Sequence, residues 1–336
     1  MARGKALPIL GITMGDPAGI GPEVIAKAMA GGEIRRVCRP IVIGSRPVME
    51  RTVRRLGLPL RVVGVAGHDG LPSRRGELPV SDPLTTALGP FRMGQVAKET
   101  GAASVAFITH AVRLAQAGCI HAMVTGPINK EAINLAGYAY PGHTELLADL
   151  TGSKDVGMMI VGGPFKIMFV TTHVAIRKLP DALTPEGVGR SIRLASKALK
   201  EYFGRPRPRI GVAALNPHAG EAGLFGEEER KAILPAARRA KAAGILASDP
   251  LPADTLFSKA ARGDFDGVVA MYHDQGLIPL KLAAFGTCVN VTVGLPIIRT
   301  SVDHGTAFDI AGKGIADHGS LIEAVKLAAK LAAKRR

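Results

Sequence analysis

Short, largely apolar runs, rich in Val and Ile, recur along the chain. Between them lie longer stretches in which apolar positions return every three or four residues. The short runs read as strands buried on both faces, at 9–14, 41–43, 60–65, 120–125, 157–161, 167–171, 210–214, 268–271 and 289–293. The longer stretches read as amphipathic helices, at 92–117, 184–203, 226–243 and 319–334 among others. Such alternation predicts an α/β fold, a mostly parallel sheet covered by helices. Segment 66–90, rich in Gly and Pro with charges interspersed, reads as a surface excursion. No internal repeat or low-complexity tract is visible, and glycines and prolines at 137–142 suggest a domain boundary near 140.

A chain of 336 residues can form two domains, or one large domain with a lobe. Its composition is 47% hydrophobic with mean hydropathy +0.19, but aromatics are only 4% and Trp is absent, so the core must be aliphatic and Ala-rich. No charge-free apolar run reaches the roughly 18 residues that a membrane span needs. The N-terminal apolar run leads into a glycine-rich turn with no small-residue cleavage site, and reads as a core strand, not a signal peptide. Three isolated cysteines (Cys38, Cys119, Cys288) fit a reducing, cytoplasmic setting.

The net charge of +15 raises the possibility of nucleic-acid binding. Its distribution argues otherwise. Arg190, Arg193, Lys197 and Lys200 fall in one predicted helix, and Lys326, Lys330 and Lys334 form a four-residue stripe in the last; both read as solvated faces. Segment 227–241 has Glu227–Glu229 first and Arg238, Arg239 and Lys241 last, which suits a helix macrodipole. With no nucleic-acid motif or interleaved aromatics, a non-catalytic basic binding protein is the outside alternative, and the charge suits an anionic small substrate.

Candidate chemistry lies where apolar runs end. His143 (YPGHTE), His173 (FVTTHVA), His218 (LNPHAGE) and His273 (MYHDQG) recur at intervals of 30, 45 and 55 residues, too wide for a zinc finger or a metal-binding pair on one helix. A parallel α/β sheet gathers such residues at its strand ends, where ligands bind, and imidazole is a common ligand for a catalytic divalent metal. Asp274 beside His273 can orient it. His68, His110, His121 and His318 lack comparable neighbours and read as structural. Lys281 and Arg299 can meet anionic groups, Arg299 with a bidentate fork, and Asn290 adds a polar contact. TGPINK (125–130) is a second polar strand end. GDPAGIGPE (15–23) opens a helix after a strand, but its glycines match neither G-x-G-x-x-G nor a P-loop, and Asp16 and Glu23 add negative charge. It reads as a tight turn at least as well as a ligand loop.

TMGDPAGIGPE, TGPINK, GHTE, LNPHAGE, LPADTLF, MYHDQG and GLPIIRTSVDHGTA occur in this order over nearly the whole chain. Together they resemble the 4-hydroxythreonine-4-phosphate dehydrogenase family of vitamin B6 biosynthesis. The resemblance implies a three-layer α/β/α, isocitrate-dehydrogenase-like fold of two domains with a cleft, the first made of 1–140 plus 275–336 and the second of 141–274. It also implies a homodimer with shared active sites. His173, His218 and His273 would then be metal ligands, one from the partner subunit, with Asp254 and Asp274 behind them. His143, Thr144, Lys281, Asn290 and Arg299 would contact substrate, with His143 or Lys281 handling protons. One departure is the stretch AGLFGEEE after LNPHAGE, which looks closer to paralogues acting on 4-phospho-D-threonate or 4-phospho-D-erythronate.

The implied reaction oxidises the secondary alcohol of 4-phosphohydroxy-L-threonine with NAD or NADP, giving a β-keto acid that decarboxylates to 3-amino-2-oxopropyl phosphate. A divalent metal would polarise the hydroxyl. Three imidazoles favour zinc or cobalt, while an oxygen-rich substrate shell admits magnesium or manganese. A cyclic dihydrodiol carboxylate is a further substrate class consistent with the resemblance.

Overall fold

The computed structural model describes residues 6–66 and 75–335. The chain divides into two compact units, Met1–Ser153 with Leu295–Lys334, and Lys154–Gly294. In chain order the strands are β1 (Ile9–Thr13), β2 (Arg39–Ile43), β3 (Arg61–Gly64), β4 (Glu77–Ser81), β5 (Ala122–Thr125), β6 (Gly157–Gly162), β7 (Phe165–Phe169), β8 (Arg209–Ala213), β9 (Leu246–Leu251), β10 (Gly267–Ala270), β11 (Val289–Val293) and β12 (Arg299–Ser301). Helix His143–Thr151 belongs to unit 1, and helix His273–Ala284 with β11 belongs to unit 2. The units therefore break after Ser153 and Gly294, not near 140 and 275.

In unit 1 the strand order is β3-β4-β2-β1-β5-β12, all parallel. Strands β1, β2 and β5 are almost wholly buried and rich in Ile, Val and Met, as expected where both sheet faces are covered. The long helix Lys98–Gln116 packs on β1, β2 and β5, burying Val105, Phe107, Ile108 and Val112. Strand β4 corrects the expected surface excursion: Glu77–Ser81 is buried between β2 and β3. Its Glu77 and Pro79 disguise it in the sequence, but Arg61 pairs with the Glu77 carboxylate at the strand end. The remainder of that excursion from 67 to 74, including His68, lies outside the described residues.

In unit 2 the order is β11-β6-β7-β10-β8-β9. Strands β7, β10, β8 and β9 run parallel, whereas β6 is antiparallel to both β7 and β11. Helices cover both faces. Phe165, Ile167, Phe169, Val268 and Ala270 pack against Leu256 and Phe257 of helix Ala253–Ala261 and Leu280 of helix His273–Ala284, with Phe165 and Phe257 edge-on at 6.0 Å. The alternate positions face the other way: Leu194 and Leu199 of helix Pro185–Glu201 lie over Gly157 and Gly267. This gives three layers and aims the ends of β7, β8 and β10 at one edge of the unit.

Candidate active site

Unit 2 carries the three proposed metal ligands. His173 leaves the sheet four residues after β7, and His273 opens the helix after β10. Thr171 ties the two exits together, its N–H and Oγ1 both donating to the Met271 carbonyl, at 3.2 and 2.8 Å. The two imidazoles consequently lie with ring centroids 5.8 Å apart. Asp274 Oδ1 is 2.6 Å from His273 Nδ1, and a proton on Nδ1 shared with this carboxylate leaves the ring's lone pair on Nε2.

Gln275 was missed in the sequence, although it lies inside MYHDQG. Buried, it accepts the Met271 N–H at 2.7 Å and donates to the Ala214 carbonyl at 2.6 Å, clamping the exits of β10 and β8. Its only signal was its position within the motif.

His218 follows β8 in a turn whose residues 218–222 all have positive φ: 53, 56, 82, 42 and 56°. Four of them are not glycine, and left-handed backbone costs L-residues about 1–2 kcal/mol each. Glu229 holds this strained loop. Its buried carboxylate accepts the N–H groups of Leu215 and Asn216 at 2.7 and 2.8 Å, and Asn216 Nδ2 also donates to it and to Glu228. The acidic run is thus more than a complement to a helix dipole. The His218 ring packs 6.2 Å from Phe225. Among the described residues no three His, Cys, Asp or Glu side chains are grouped closely enough to hold a metal. Asp254 is exposed in the first turn of helix Ala253–Ala261, accepting from Thr255 at 3.3 Å.

Lys281 lies two turns beyond His273 on the same helix. Both line a cavity of about 450 Å³ with Asp274, Leu277, Ile278, Leu282 and Phe285. Asn290 is half-buried on β11, its Oδ1 buried without a hydrogen-bond partner among the described residues.

Unit 1 contributes the other substrate candidates. Arg299 on β12 is 3% exposed and donates from Nε and Nη2 to Thr125 Oγ1 at the end of β5, at 3.1 and 2.7 Å. Burial pulls its guanidinium down to about 9, so it stays charged at neutral pH. His143 begins helix His143–Thr151, with half-buried Thr144 next to it. Its Nε2 is buried with no partner among the described residues. Burial first, and the Arg299 charge second, hold this imidazole well below its usual pKa, so it is neutral at pH 7. A neutral imidazole beside a fixed cation can accept or hand on a proton next to a bound anion.

The glycine-rich turn is structural. A Cβ on Gly15 would sit 2.3 Å from the Pro127 carbonyl oxygen, and one on Gly21 2.1 Å from that of Met14. Glu23 accepts the N–H groups of Gly314 and Ala316 and pairs with Lys27 at 2.9 Å. Asn129 of TGPINK caps helix Lys130–Leu135 by accepting from Ala132 N–H at 2.8 Å. His121 Nδ1 accepts from Ile9 N–H, and His110 Nε2 is 3.1 Å from Ser81 Oγ, both structural as anticipated.

A family model described as pyridoxal phosphate biosynthetic protein PdxA matches residues 36–328. The chain is 49% identical over 330 residues to 4-hydroxythreonine-4-phosphate dehydrogenase of Desulfosudis oleivorans, covering 97% of this chain and 96% of the relative. It is 47% identical over 331 residues to D-threonate 4-phosphate dehydrogenase of Cupriavidus necator, covering 98% of each. A crystal structure of 4-hydroxythreonine-4-phosphate dehydrogenase from Klebsiella pneumoniae superposes with a TM-score of 0.91 at 42% identity, covering 97% of this chain and 99% of that one.

Proposed function

We infer that this chain, which belongs to the PdxA family of pyridoxal phosphate biosynthetic proteins, is a dehydrogenase that oxidises 4-phosphohydroxy-L-threonine in vitamin B6 biosynthesis. The reading rests most heavily on the paired imidazoles of His173 and His273, 5.8 Å apart at neighbouring strand exits, in a chain that matches these dehydrogenases over nearly its full length.

His173 and His273 suit two ligand positions for a divalent metal, zinc or cobalt by the chemistry of imidazole, magnesium or manganese if substrate oxygens complete the shell. His218 is the third, and one of the three comes from a second copy of the chain. When bound, the metal supplies Lewis-acid polarisation of the substrate hydroxyl, and NAD or NADP supplies the hydride acceptor. The chain's own groups do the rest. Arg299 and Lys281 bind the anionic ends of the substrate, and Asn290 and Thr144 orient it through polar contacts. His143 Nε2 or the Lys281 amine takes the hydroxyl proton and returns a proton to carbon after carbon dioxide leaves.

A homodimer is supported by the apolar flank of the His273–Ala284 helix. Ile278, Leu282 and, just beyond, Phe285 are 60, 85 and 83% exposed, and they border His273 and Lys281. Such a patch beside a site calls for a partner. Three cysteines, none in a disulfide among the described residues, support a cytoplasmic home. Among the described residues no helix is long and apolar enough to cross a membrane.

The AGLFGEEE segment and the 47% identity to a D-threonate 4-phosphate dehydrogenase favour a second substrate reading, 4-phospho-D-threonate or its erythronate analogue. NADH production by metal-loaded protein, measured on all three compounds, decides. A kcat/KM highest for 4-phosphohydroxy-L-threonine supports the first reading; a preference for 4-phospho-D-threonate replaces it with the second.

A further inference from the structure

Unit 2 contains a second cavity, of about 240 Å³, lined by Asp155, Arg190, Arg193, Leu194, Lys197 and Gly294. One wall is helix Pro185–Glu201, whose three cations recur at i, i+3 and i+7 and so share a face. The other wall is backbone. A Cβ on Gly294 would lie 2.0 Å from the Asp155 carbonyl oxygen, so the segments that enter and leave the unit touch here. Gly157 pairs with Val293, and β6 runs antiparallel to β7, which places this corner at the sheet edge where β7 ends. It lies on the face opposite helix His273–Ala284 and shares no residue with the candidate substrate or metal groups.

Several cations elsewhere on the surface are matched by carboxylates. Arg230 and Lys231 pair with Glu227, Arg239 with Glu186, Lys241 with Asp249, and Lys326 with Glu33 and Glu323. Arg190, Arg193 and Lys197 make no ion pair among the described residues, although like charges one turn apart disfavour a helix. Three cations against the one Asp155 carboxylate leave two positive charges around the cavity. A phosphate group carries about −1.5 to −2 at neutral pH, and arginine forks match its oxygens. The cavity is smaller than the roughly 300 Å³ at which drug-sized pockets begin, which suits a compact anion.

We propose that this cavity is a binding site for a small phosphate-bearing anion, separate from the candidate active site. Free inorganic phosphate and a phosphomonoester share the required chemistry. Calorimetric titration of the full-length protein with inorganic phosphate, and separately with glycerol 3-phosphate, tests this in wild type, R190Q/R193Q, D155N and R299K. The double variant should lose about tenfold or more in affinity for one class of sites, the class that R299K retains. Asp155→Asn removes the opposing charge and should tighten that class several-fold, a gain that misfolding cannot imitate. Tighter binding of glycerol 3-phosphate identifies a phosphomonoester as ligand, and binding of inorganic phosphate alone identifies the free ion. Phosphate affinities unchanged in both R190Q/R193Q and D155N would overturn the site and leave the three cations as a solvated face.

Discussion

At the scale of single residues, two side chains in unit 1 make predictions that a structural role alone would not. His143 is held neutral by burial and by Arg299, so its folded pKa lies below the ordinary value. The unfolded chain then binds a proton that the folded one does not, once the pH falls below about 6.5. This contribution to stability is complete above that pH and is lost as pH drops toward the folded pKa. Urea midpoints of wild type should therefore fall between about pH 7 and pH 5 more steeply than those of His143→Gln. Identical slopes would show that the imidazole is solvated. Arg299→Lys keeps the charge but loses the fork that grips Thr125. Its expected loss for a phosphorylated substrate is about 1.5–3 kcal/mol, roughly ten- to a hundredfold in kcat/KM, with metal content unchanged. An unaltered kcat/KM would make Arg299 a purely structural strand-end residue.

At the scale of elements, the scaffold behind the histidines is as consequential as the histidines. Gln275→Leu strips the Met271 N–H and the Ala214 carbonyl of their buried partner. Each orphaned group costs about 1–3 kcal/mol, so urea unfolding should show a loss of that order or more. A variant as stable as wild type would mean that water replaces the amide. The sequence pattern located β1, β2, β3, β5, β6, β7, β8, β10 and β11 because each is short and dominated by apolar residues, Val and Ile above all. It missed β4, β9 and β12 for physical reasons. Strand β4 begins with a paired Glu77 and carries Pro79, β9 is an edge strand containing Ser248, Asp249 and Pro250, and β12 is three residues long with a buried Arg299. Helix ends were legible to within a few residues where proline or threonine marks them, as at Thr184 and Pro185. The His173–His273 pairing was legible as two strand-end histidines. The clamps at Gln275 and Glu229 were not, because a polar residue buried by tertiary hydrogen bonds looks like a surface residue in the sequence.

At the scale of the whole molecule, the homodimer proposed above is tested at the exposed apolar flank, where Ile278, Leu282 and Phe285 line a cavity with His273 and Lys281. Leu282→Glu combined with Phe285→Glu should convert a dimer to monomers in sedimentation at micromolar concentration and abolish turnover with it. Wild type that sediments as a fully active monomer would refute the shared site. The most direct measurement is bound metal and NADH production, made together on chelated and metal-reloaded wild type and on His173→Ala, His218→Ala and His273→Ala. Chelation should abolish turnover of wild type and reloading restore it, while each variant purifies with less metal and stays inactive after reloading. Full activity of exhaustively chelated His218→Ala would contradict a catalytic metal held by these histidines.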